Sequence, residues 1–312
     1  MAGIWTMGEM LVEIMRPRAD MPLYEASEFL GPFPSGAPAI FIDTAARLGH
    51  PAGIIGGIGR DDFGACLLKR LSAHGVDCRF VEESDEGSTA AAFVTYSSDG
   101  DRKFIFHIGN TPAAAVKSPN IESVEAPDFF HIMGCSLAAA DSLYNEIVKT
   151  IGKFSDKGAS ISFDPNLRPE LLRGRKISEF IEPVMRECEV LLPGEAELLA
   201  ISDEVNIDSA VKKLFKNPKL KVIALKRGSE GCTIITRDES FDLGVYPVIP
   251  KDATGAGDSF DAAFLYGYIR KLPLRDCAKI ASAAAALNTA AFGPMEGDIT
   301  WENIRKFTEQ QI

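Results

Sequence analysis

The most informative stretch of this chain is Asp252-Ala253-Thr254-Gly255-Ala256-Gly257-Asp258-Ser259-Phe260. Its two glycines, Gly255 and Gly257, allow the backbone to turn tightly and leave no side chain in front of the N–H groups. Apolar residues then recur at helical spacing, at Phe260, Ala263, Phe264 and Gly267. A turn that leads into a helix presents unpaired N–H groups and the positive end of the helix dipole, so we predict an anion site here.

Asp258 lies at the start of this predicted helix and away from its apolar stripe, so we predict that it is not a core residue. A carboxylate would repel the same anion, so we expect Asp258 to have a chemical role. A base beside an anion site can take a proton from a hydroxyl group while that group attacks phosphorus. An ordinary acid in a first helical turn is the alternative, and a motif this short leaves both open.

The composition is that of a soluble globular protein. The chain has 312 residues, of which 46% are hydrophobic and 25% are charged, and this suits one large α/β domain over residues 1–312. A net charge of -11 argues against nucleic-acid partners and against anionic membranes. The six cysteines show no CxxC or zinc-site spacing, so we expect free thiols in a reducing compartment. With no signal-peptide pattern and no apolar run of spanning length, the sequence predicts a cytoplasmic location.

Short apolar runs that end in turn residues alternate with helical patterns. The runs cover residues 129–133, 159–163, 190–192 and 222–225, and helices are predicted at 142–154 and 178–187. Strand–loop–helix repetition with apolar strands indicates a mostly parallel sheet covered by helices on both faces, and ligands of such sheets sit beyond the carboxyl ends of the strands. We therefore expect the polar residues that follow strands to converge on one cleft, namely Asp164, Asn166, Glu197 and the 254–258 turn.

Two segments, residues about 10–28 and 88–108, have strand patterns outside this alternation. Within the second, residues 90–96 and 102–107 flank a polar turn at 97–101, which predicts a β-hairpin. Strands inserted at two places can pair into a small separate sheet. A lid over the cleft is the natural use of such a sheet, because phosphoryl transfer requires that water be excluded.

The common nucleotide-binding motifs are absent from the sequence. There is no GxxxxGK[ST] P-loop, no GxGxxG after a strand, and no VAIK–HRD pair of a protein kinase. If the protein uses ATP, the turn at residues 255–258 must therefore hold its phosphates.

Four motifs in order along the whole chain resemble those of the ribokinase-like (pfkB-type) carbohydrate kinases. They are the 252–260 stretch, the glycine-rich segment from Gly36 to Gly64, the Asp164-Pro165-Asn166-Leu167-Arg168 element and the Lys226-x-Gly228-x-x-Gly231 element. The resemblance implies a three-layer α/β sandwich with a mostly parallel central sheet, and a small β-sheet lid that doubles as a homodimer interface. It also implies transfer of a phosphoryl group from ATP, with Mg²⁺, to a hydroxymethyl group of a small-molecule sugar. Asp258 would be the base, and the anion hole would be formed by Gly255, Ala256 and Gly257.

The resemblance assigns further residues of the site. The sugar side would comprise Glu13, Ser35, Gly36, Ala37, Ile40, His107, Asp164, Asn166 and Arg168. The nucleotide side would comprise Lys226, Gly228, Gly231, Thr254 and Ser282. Glu197 would organise Mg²⁺ through water, and Asp252 with the Ala253 carbonyl group would form a site for a monovalent cation such as K⁺.

For several of these residues a plainer interpretation stays open. Lys226, Gly228 and Gly231 could form an ordinary loop and helix, and His107 could be a lid-strand residue at a sheet interface. Glu13 could be a solvated strand residue, and Arg168 could be the ion-pair partner of Glu170 or Glu195. Arg168 could also reach either phosphate or the sugar, because a guanidinium group suits both.

Three positions depart from the family pattern. Ile40 stands where the first signature usually has Asn, so the sugar contacts must differ from the usual ones. Gly194 replaces the Asn of the N-x-x-E element, which removes one amide from the Mg²⁺ environment. His107 lies near the place where many acid-sugar kinases of the family carry an arginine, and a histidine is a weak carboxylate anchor at neutral pH. With His107 a weak anchor, Ile40 apolar and Glu13 repelling a second carboxylate, the sequence predicts a neutral substrate, unless Arg168 faces the sugar.

The substrate expected from the sequence is a neutral ketohexose. Residues 31–43 resemble the tagatose-kinase subgroup, which predicts tagatose 6-phosphate as the product. Fructose and 2-keto-3-deoxygluconate are the alternative sugars, and a nucleoside is less favoured because no aromatic cluster marks a base-stacking lid. A sugar-binding regulator without catalysis is a different class, which Ile40 and Gly194 motivate and the intact 254–258 turn opposes.

Overall fold

Thirteen strands and twelve helices lie in residues 3–98, 102–172 and 174–309, the part of the chain that the computed structural model describes. The strands are β1 (Ile4–Met7), β2 (Leu11–Met15), β3 (Leu30–Ser35), β4 (Ala52–Gly59), β5 (Asp77–Ser84), β6 (Ala90–Tyr96), β7 (Arg102–His107), β8 (Phe129–Met133), β9 (Ser160–Asp164), β10 (Cys188–Leu191), β11 (Val222–Lys226), β12 (Cys232–Ile235) and β13 (Ser240–Leu243). The helices are α1 (Ala37–Arg47), α2 (Asp62–Ala73), α3 (Pro112–Ala115), α4 (Gly134–Ala139), α5 (Asp141–Asp156), α6 (Pro169–Leu172), α7 (Glu182–Glu187), α8 (Glu195–Ser202), α9 (Ile207–Leu214), α10 (Ala256–Ile269), α11 (Leu274–Thr289) and α12 (Trp301–Glu309).

The large sheet has the strand order β13-β12-β11-β10-β9-β8-β1-β4-β5. Its strands from β11 to β5 in that order are parallel, and β12 pairs antiparallel with both β11 and β13. The central strands β1, β4 and β8 are buried at every residue, as expected of strands that are covered on both faces. The predicted α/β fold with a mostly parallel sheet is thereby confirmed.

The predicted apolar runs form β8, β9, β10 and β11, and the predicted helix at 142–154 forms α5. The predicted helix at 178–187 is wrong as a single element. A 3₁₀ turn at Ile177–Glu179 precedes α7, and Pro183 lies in the first turn of α7. Proline lacks an N–H group, so it can begin a helix but cannot continue one from the preceding turn.

The second sheet has the order β3-β2-β6-β7 and is the small sheet that the sequence predicted. β2 pairs antiparallel with β3 and parallel with β6, and β6 pairs antiparallel with β7. The tip of the predicted hairpin, at residues 99–101, lies outside the described residues.

The first inserted segment extends beyond the predicted residue 28, because β3 lies at Leu30–Ser35. The chain between β2 and β3 forms a loop around the buried side chain of Arg16. The guanidinium group of Arg16 donates to three carbonyl groups of this loop, those of Pro22, Glu25 and Glu28. A buried cation with these partners fixes a loop where the sequence pattern predicted more strand.

Helix α10 carries the predicted turn into the middle of the fold. It packs against α1 and α11, and its residues from Asp258 to Gly267 are all buried. The predicted apolar stripe is therefore one side of a helix that is buried all round. Asp258 is only 5% exposed, and it lines a cavity rather than a purely apolar core.

Within the described ranges, each helix is too short or too polar to span a lipid bilayer. All six cysteines carry free thiols, as their spacing predicted.

Candidate active site

The turn before α10 is shaped by one glycine and left open by another. Gly255 has a φ of 79°, a left-handed conformation that favours glycine, and a Cβ atom there would lie 2.4 Å from the Pro294 carbonyl oxygen. A Cβ atom at Gly257 would meet no heavy atom closer than 3.7 Å, which leaves space in front of the backbone. The Ala256 N–H group donates to the Ala253 carbonyl oxygen at 3.2 Å. The N–H group of Gly257 is therefore better placed than that of Ala256 to bind an anion.

Asp258 lies in the first turn of α10, where the Asn166 side-chain amide donates to its Oδ1 atom at 3.0 Å. Burial, reinforced by the charge of Asp164, raises the pKa of Asp258 to about 6. Three nearby cations oppose the rise, and these are Arg168, Lys226 and Arg102. A carboxyl group with this pKa is mostly ionised at neutral pH and holds a proton well enough to act as a general base.

Lys226 is bound to carboxyl groups beneath the turn rather than free to meet nucleotide phosphates. Its Nζ atom lies 2.8 Å from Asp164 Oδ2 and 3.1 Å from Asp261 Oδ1. Burial raises the pKa of Asp164, but Lys226 and Asp261 outweigh burial and hold that pKa at about 2. Burial raises the pKa of Asp261 well above its usual value, while the charge of Lys226 opposes the rise. Sequence reasoning missed Asp261, although its position three residues after Asp258 placed both on one side of a helix.

Glu13, Ser35 and Asp258 line the same narrow cavity, which has a volume of about 40 Å³. The Ser35 hydroxyl group donates to Glu13 Oε1 at 2.7 Å. The other oxygen of Glu13, Oε2, is buried and takes no hydrogen bond from the described residues. Burial raises the pKa of Glu13 to about 7. Because the Glu13 side chain is buried, its interpretation as a solvated strand residue is wrong. Its Oε2 atom can accept a hydrogen bond from a hydroxyl group of a ligand.

Most residues predicted on the sugar side line this sugar-side cavity, namely Glu13, Ser35, Gly36, Ala37, Ile40, Asn166 and Arg168. Helix α1 begins directly after Gly36, whose φ of 102° lets the chain turn from β3 into the helix. Ile40 is 3% exposed and forms an apolar wall beside Gly255. Asp164 does not line the cavity, and its Oδ1 atom accepts the Asn166 backbone N–H at 2.9 Å.

The lid strand β7 presents a different set of residues from the one predicted. Its side chains alternate between faces, so that Arg102, Phe104 and Phe106 line the cavity while His107 is exposed. The assignment of His107 to the sugar side is therefore wrong by one residue. The rings of Phe104 and Phe106 are stacked with centroids 5.1 Å apart, so the lid does carry an aromatic pair. The alternation of apolar aromatic residues in β7 was the signal that could have shown it.

Two guanidinium groups reach the sugar-side cavity, and the sequence argument counted only one of them. Arg102 donates from the lid to the Thr254 hydroxyl oxygen at 3.4 Å. Arg168 lines the cavity, and within the described residues it forms no ion pair with Glu170 or Glu195. The prediction of a neutral substrate did not take Arg102 into account, because β7 brings Arg102 to a place that its sequence position did not reveal.

Glu9 and Cys135 also line the cavity, and sequence reasoning missed both. Glu9 is 3% exposed and accepts hydrogen bonds from Cys135 Sγ, at 3.2 Å, and from the Ser136 hydroxyl group. Burial raises the pKa of Glu9, so its proton is held more tightly than usual. The one available signal was that each residue directly follows a parallel strand, β1 or β8, whose carboxyl end faces the cleft.

A second cavity, of about 430 Å³, borders the same turn and has the size of a small-molecule site. Four of the predicted nucleotide-side residues line it, namely Lys226, Gly228, Gly231 and Ser282. Gly231 has a φ of 98°, and a Cβ atom there would lie 2.0 Å from the Leu243 carbonyl oxygen, so only glycine fits. Thr254 lines the sugar-side cavity instead. The loop at residues 245–250 supplies an apolar wall that no sequence motif indicated.

Glu197 holds two stretches of backbone at the edge of the cleft. Its Oε1 atom accepts the Leu167 N–H and its Oε2 atom accepts the Gly194 N–H, both at 2.7 Å. In the described part of the chain, no three His, Cys, Asp or Glu side chains come together as a metal-binding group. A Mg²⁺ ion that arrives with ATP would therefore be held mainly by phosphate oxygens and water, with Glu197 as an acceptor for such water.

Asp252 fixes the turn through hydrogen bonds to both of its carboxylate oxygens. Oδ1 accepts the Thr254 N–H at 2.9 Å, the Thr254 hydroxyl at 2.7 Å and the Tyr96 hydroxyl at 3.1 Å. Oδ2 accepts the Gly293 N–H at 3.0 Å. Because Tyr96 belongs to the lid strand β6, the lid is tied to the turn at this point. The monovalent-cation site at Asp252 and Ala253 stays a prediction.

Known proteins resemble this chain in sequence and in fold. The sequence profile of the pfkB family carbohydrate kinases matches residues 30–301. Fructokinase-1 of Oryza sativa subsp. japonica is 31% identical, over 97% of this chain and 96% of that protein, and fructokinase-1 of Zea mays is 31% identical over 92% and 91%. The crystal structure of an E. coli protein assigned as a ribokinase II, in complex with ATP and Mg²⁺, has a TM-score of 0.90 at 34% identity over 99% of this chain and 100% of that chain. The matched residues include the 252–260 stretch and the second cavity.

Proposed function

Since the chain belongs to the pfkB family of carbohydrate kinases, we propose that it transfers the γ-phosphoryl group of ATP to a hydroxymethyl group of fructose. The observation that carries the proposal is the place of Asp258, a buried base in the sugar-side cavity. Its neighbour Gly257 lines the second cavity, which we assign to ATP. A sugar hydroxyl group and a terminal phosphate can therefore meet at the start of α10.

Fructose replaces tagatose as the proposed sugar because relatives at 31% identity are fructokinases. No contact in the sugar-side cavity favours tagatose. The two ketohexoses differ only in the configuration of one carbon atom, so a direct comparison of their kinetics separates them.

The proposed reaction begins when Asp258 takes the proton of the hydroxymethyl group. The freed oxygen forms a bond to the γ-phosphorus, and the bond between that phosphorus and the bridging oxygen breaks, so that ADP leaves with the electron pair. The Gly257 N–H group and the positive end of α10 stabilise the charge on the transferring phosphoryl group. The Mg²⁺ ion bound with ATP supplies further neutralisation of phosphate charge.

The sugar is held by groups that pair with hydroxyls. Glu13 Oε2 is a buried acceptor without a partner among the described residues, and Ile40 covers an apolar face. Phe104 and Phe106 on the lid exclude water from the reacting atoms. This set suits a neutral polyol with one terminal hydroxymethyl group directed at Asp258.

A sugar acid such as 2-keto-3-deoxygluconate is the second candidate, and the two guanidinium groups at the cavity favour it. Arg102 and Arg168 could offset the cost of burying a substrate carboxylate. The same guanidinium groups already face the charge of Asp258, and Glu13 shares the cavity with them. These acids make a second carboxylate unfavourable, so we place the sugar acid after fructose.

Steady-state ATP consumption with a sugar panel tests the proposal. Fructose, tagatose and 2-keto-3-deoxygluconate are compared at equal concentration, and fructose should exceed the sugar acid in kcat/KM by at least about tenfold, worth about 1.4 kcal/mol. Asp258→Asn should lower kcat by about 10²–10⁴ with little change in the sugar KM. A higher kcat/KM for the sugar acid would overturn the choice of fructose. An Asp258→Asn variant that keeps more than about a tenth of the wild-type kcat would reject the base.

We also propose that the outer face of the lid joins two copies of the chain. Two large apolar side chains are exposed beside Phe93 on that face, Phe29 at 37% and Ile105 at 45%. Ile105→Lys should convert a dimer into a monomer in sedimentation velocity without lowering Tm. A wild-type chain that sediments as a monomer at assay concentration would contradict this pairing.

A further inference from the structure

The side chain of Asn166 stands between two carboxylates, Asp164 and Asp258. Its Nδ2 atom donates to Asp258 Oδ1 at 3.0 Å and to Asp164 Oδ2 at 3.3 Å. Both hydrogens of the amide nitrogen are thereby used. Chemistry fixes this orientation, since turning the amide over would place its oxygen against two carboxylate oxygens.

The backbone of Asn166 is held as firmly as its side chain. Its N–H group donates to Asp164 Oδ1 at 2.9 Å, and the next residue, Leu167, donates its N–H group to Glu197 Oε1 at 2.7 Å. Asn166 has a φ of 40°, a left-handed conformation that asparagine tolerates better than most residues. Neighbouring groups therefore determine the position of this residue from two sides.

Asn166 also belongs to a closed ring of contacts that begins and ends on α10. From Asp258 the ring passes to Asn166, then to Asp164 and Lys226, and it returns to α10 at Asp261. Lys226 keeps Asp164 ionised, and an ionised carboxylate can accept from the Asn166 side chain and backbone together. Since both ends of the ring lie on one helix, Asp258 is fixed relative to the sheet.

The amide oxygen of Asn166, its remaining polar atom, indicates a contact with a ligand. Its Oδ1 atom is buried and takes no hydrogen bond from the residues that the structure describes. The residue lines the sugar-side cavity together with Asp258. An amide oxygen in this place is satisfied by a donor that enters the cavity, and a sugar hydroxyl group is such a donor.

We propose that Asn166 is a positioning residue that holds the Asp258 carboxylate at a fixed distance from the reacting hydroxyl group. Its Nδ2 atom fixes the base, and its Oδ1 atom accepts a hydroxyl of the same sugar, so one rigid amide sets the distance between base and substrate. This inference deepens the proposed function and rests on Asp258 being the base.

The same hydrogen bond favours the ionised form of Asp258. A donor to a carboxylate lowers its pKa, so the loss of the Asn166 amide should raise the pKa of Asp258 above its present value of about 6. The other charged or titratable groups near Asp258 are Arg102 on β7, Arg168 after β9, Lys226 on β11, Asp164 on β9, Asp261 on α10, Cys135 on α4, and Glu9 and Glu13 in the same cavity. A variant of Asn166 removes none of these groups. It removes the amide donor to Asp258 and to Asp164, so a change in the titration of the base reports the lost amide.

The test is the pH dependence of kcat in the wild type, Asn166→Ala and Asn166→Gly. Each enzyme is saturated with ATP and with the sugar of the panel that gives the highest kcat/KM. Glycine adopts a φ of 40° without strain, so Asn166→Gly keeps the backbone that alanine disturbs. In both variants the acid limb should move up by about one pH unit, and kcat at neutral pH should fall by at least about tenfold. The sugar KM should rise while the ATP KM stays unchanged.

Asn217→Ala is the matched control, because it also removes an asparagine amide that donates a hydrogen bond. Asn217 lies between α9 and β11, and its amide donates to the Met185 carbonyl oxygen of α7 at 2.6 Å. It should leave the acid limb and kcat unchanged. An Asp258→Asn variant with wild-type kcat would show that the base is misassigned and that the proposed function fails at that point. If Asp258→Asn is inactive and the two Asn166 variants keep the wild-type acid limb, the positioning role of Asn166 is overturned and the base assignment stands.

Discussion

Replacing Gly257 with alanine separates the anion site from the stability of the fold. A Cβ atom at this position would meet nothing closer than Lys226 Nζ at 3.7 Å, and the backbone there is helical. Alanine is favoured over glycine in a helix by about 0.5–1 kcal/mol, so the variant should be as stable as the wild type or slightly more stable. The same methyl group stands where the phosphates of ATP must approach, because Gly257 lines the second cavity.

Gly257→Ala should lower the rate of turnover and leave the stability of the fold almost unchanged. The variant keeps the backbone N–H group at position 257, but its methyl group holds the phosphate away from that donor. A donor that no longer reaches the developing charge lowers kcat by about 10²–10³, which corresponds to about 2.7–4 kcal/mol of transition-state stabilisation. We expect kcat/KM for ATP to fall by that factor in a coupled assay of ADP release. Thermal melting of the same preparation should show an unchanged or raised Tm.

Gly255→Ala is the matched comparison, because it should lower the stability of the fold, which Gly257→Ala leaves intact. Gly255 has a φ of 79°, and a Cβ atom there would lie 2.4 Å from the Pro294 carbonyl oxygen. The left-handed conformation alone costs alanine about 1–2 kcal/mol, and the steric contact adds to it, so Tm should fall. If Gly257→Ala turns over ATP like the wild type, or melts as early as Gly255→Ala, the assignment of the anion site to the Gly257 backbone is refuted.

The remaining predictions concern the base, the Mg²⁺ environment and the lid. Because the pKa of Asp258 in the ligand-free protein is about 6 and only the ionised form accepts a proton, kcat/KM for the sugar should rise with pH through that value, and a constant kcat/KM across it would contradict the assignment. Glu197→Ala should lower Tm, since two N–H groups lose their acceptor, and should weaken turnover in a way that added Mg²⁺ partly restores; Mg²⁺ dependence identical to the wild type would move the metal site elsewhere. Gly194→Asn should keep more than about half of kcat, because a Cβ atom there would meet only the side chain of Glu197, at 3.3 Å, and asparagine is a good N-cap. His107→Ala should leave kcat/KM unchanged while Phe106→Ala raises the sugar KM, and equal effects would show that the register of β7 is wrong.

The features that the sequence predicted well are those with local causes. The turn before α10 needs glycine at one position and an open backbone at another, and both requirements are visible as residue types within a few positions. The parallel strands are buried on both faces, so their apolar runs stand out against the polar turns that follow them. The convergence of Asn166 and the 254–258 turn on one cleft followed from the topology of such a sheet, whereas Glu197 lines neither of the two cavities.

The features that the sequence could not show depend on register and on contacts between distant segments. A shift of one residue along β7 decides whether Phe106 or His107 faces the sugar, and periodicity alone did not fix the inward face of a short edge strand. Arg102 reaches Thr254 only because the lid folds over a turn 152 positions later in the chain. Lys226 matched a nucleotide motif by its position, but its charge is bound by Asp164 and a second aspartate on α10.

The lid is more than a cover, because both strands of its hairpin are bonded to the catalytic turn. The Tyr96 hydroxyl group lies 3.2 Å from the Thr254 hydroxyl oxygen and 3.1 Å from Asp252 Oδ1, and Arg102 donates to the same threonine. An opening of the lid would break these hydrogen bonds, so the position of the lid and the geometry of the turn are coupled through Tyr96 and Arg102. In a kinase such a coupling would make the shape of the anion site depend on closure over the sugar.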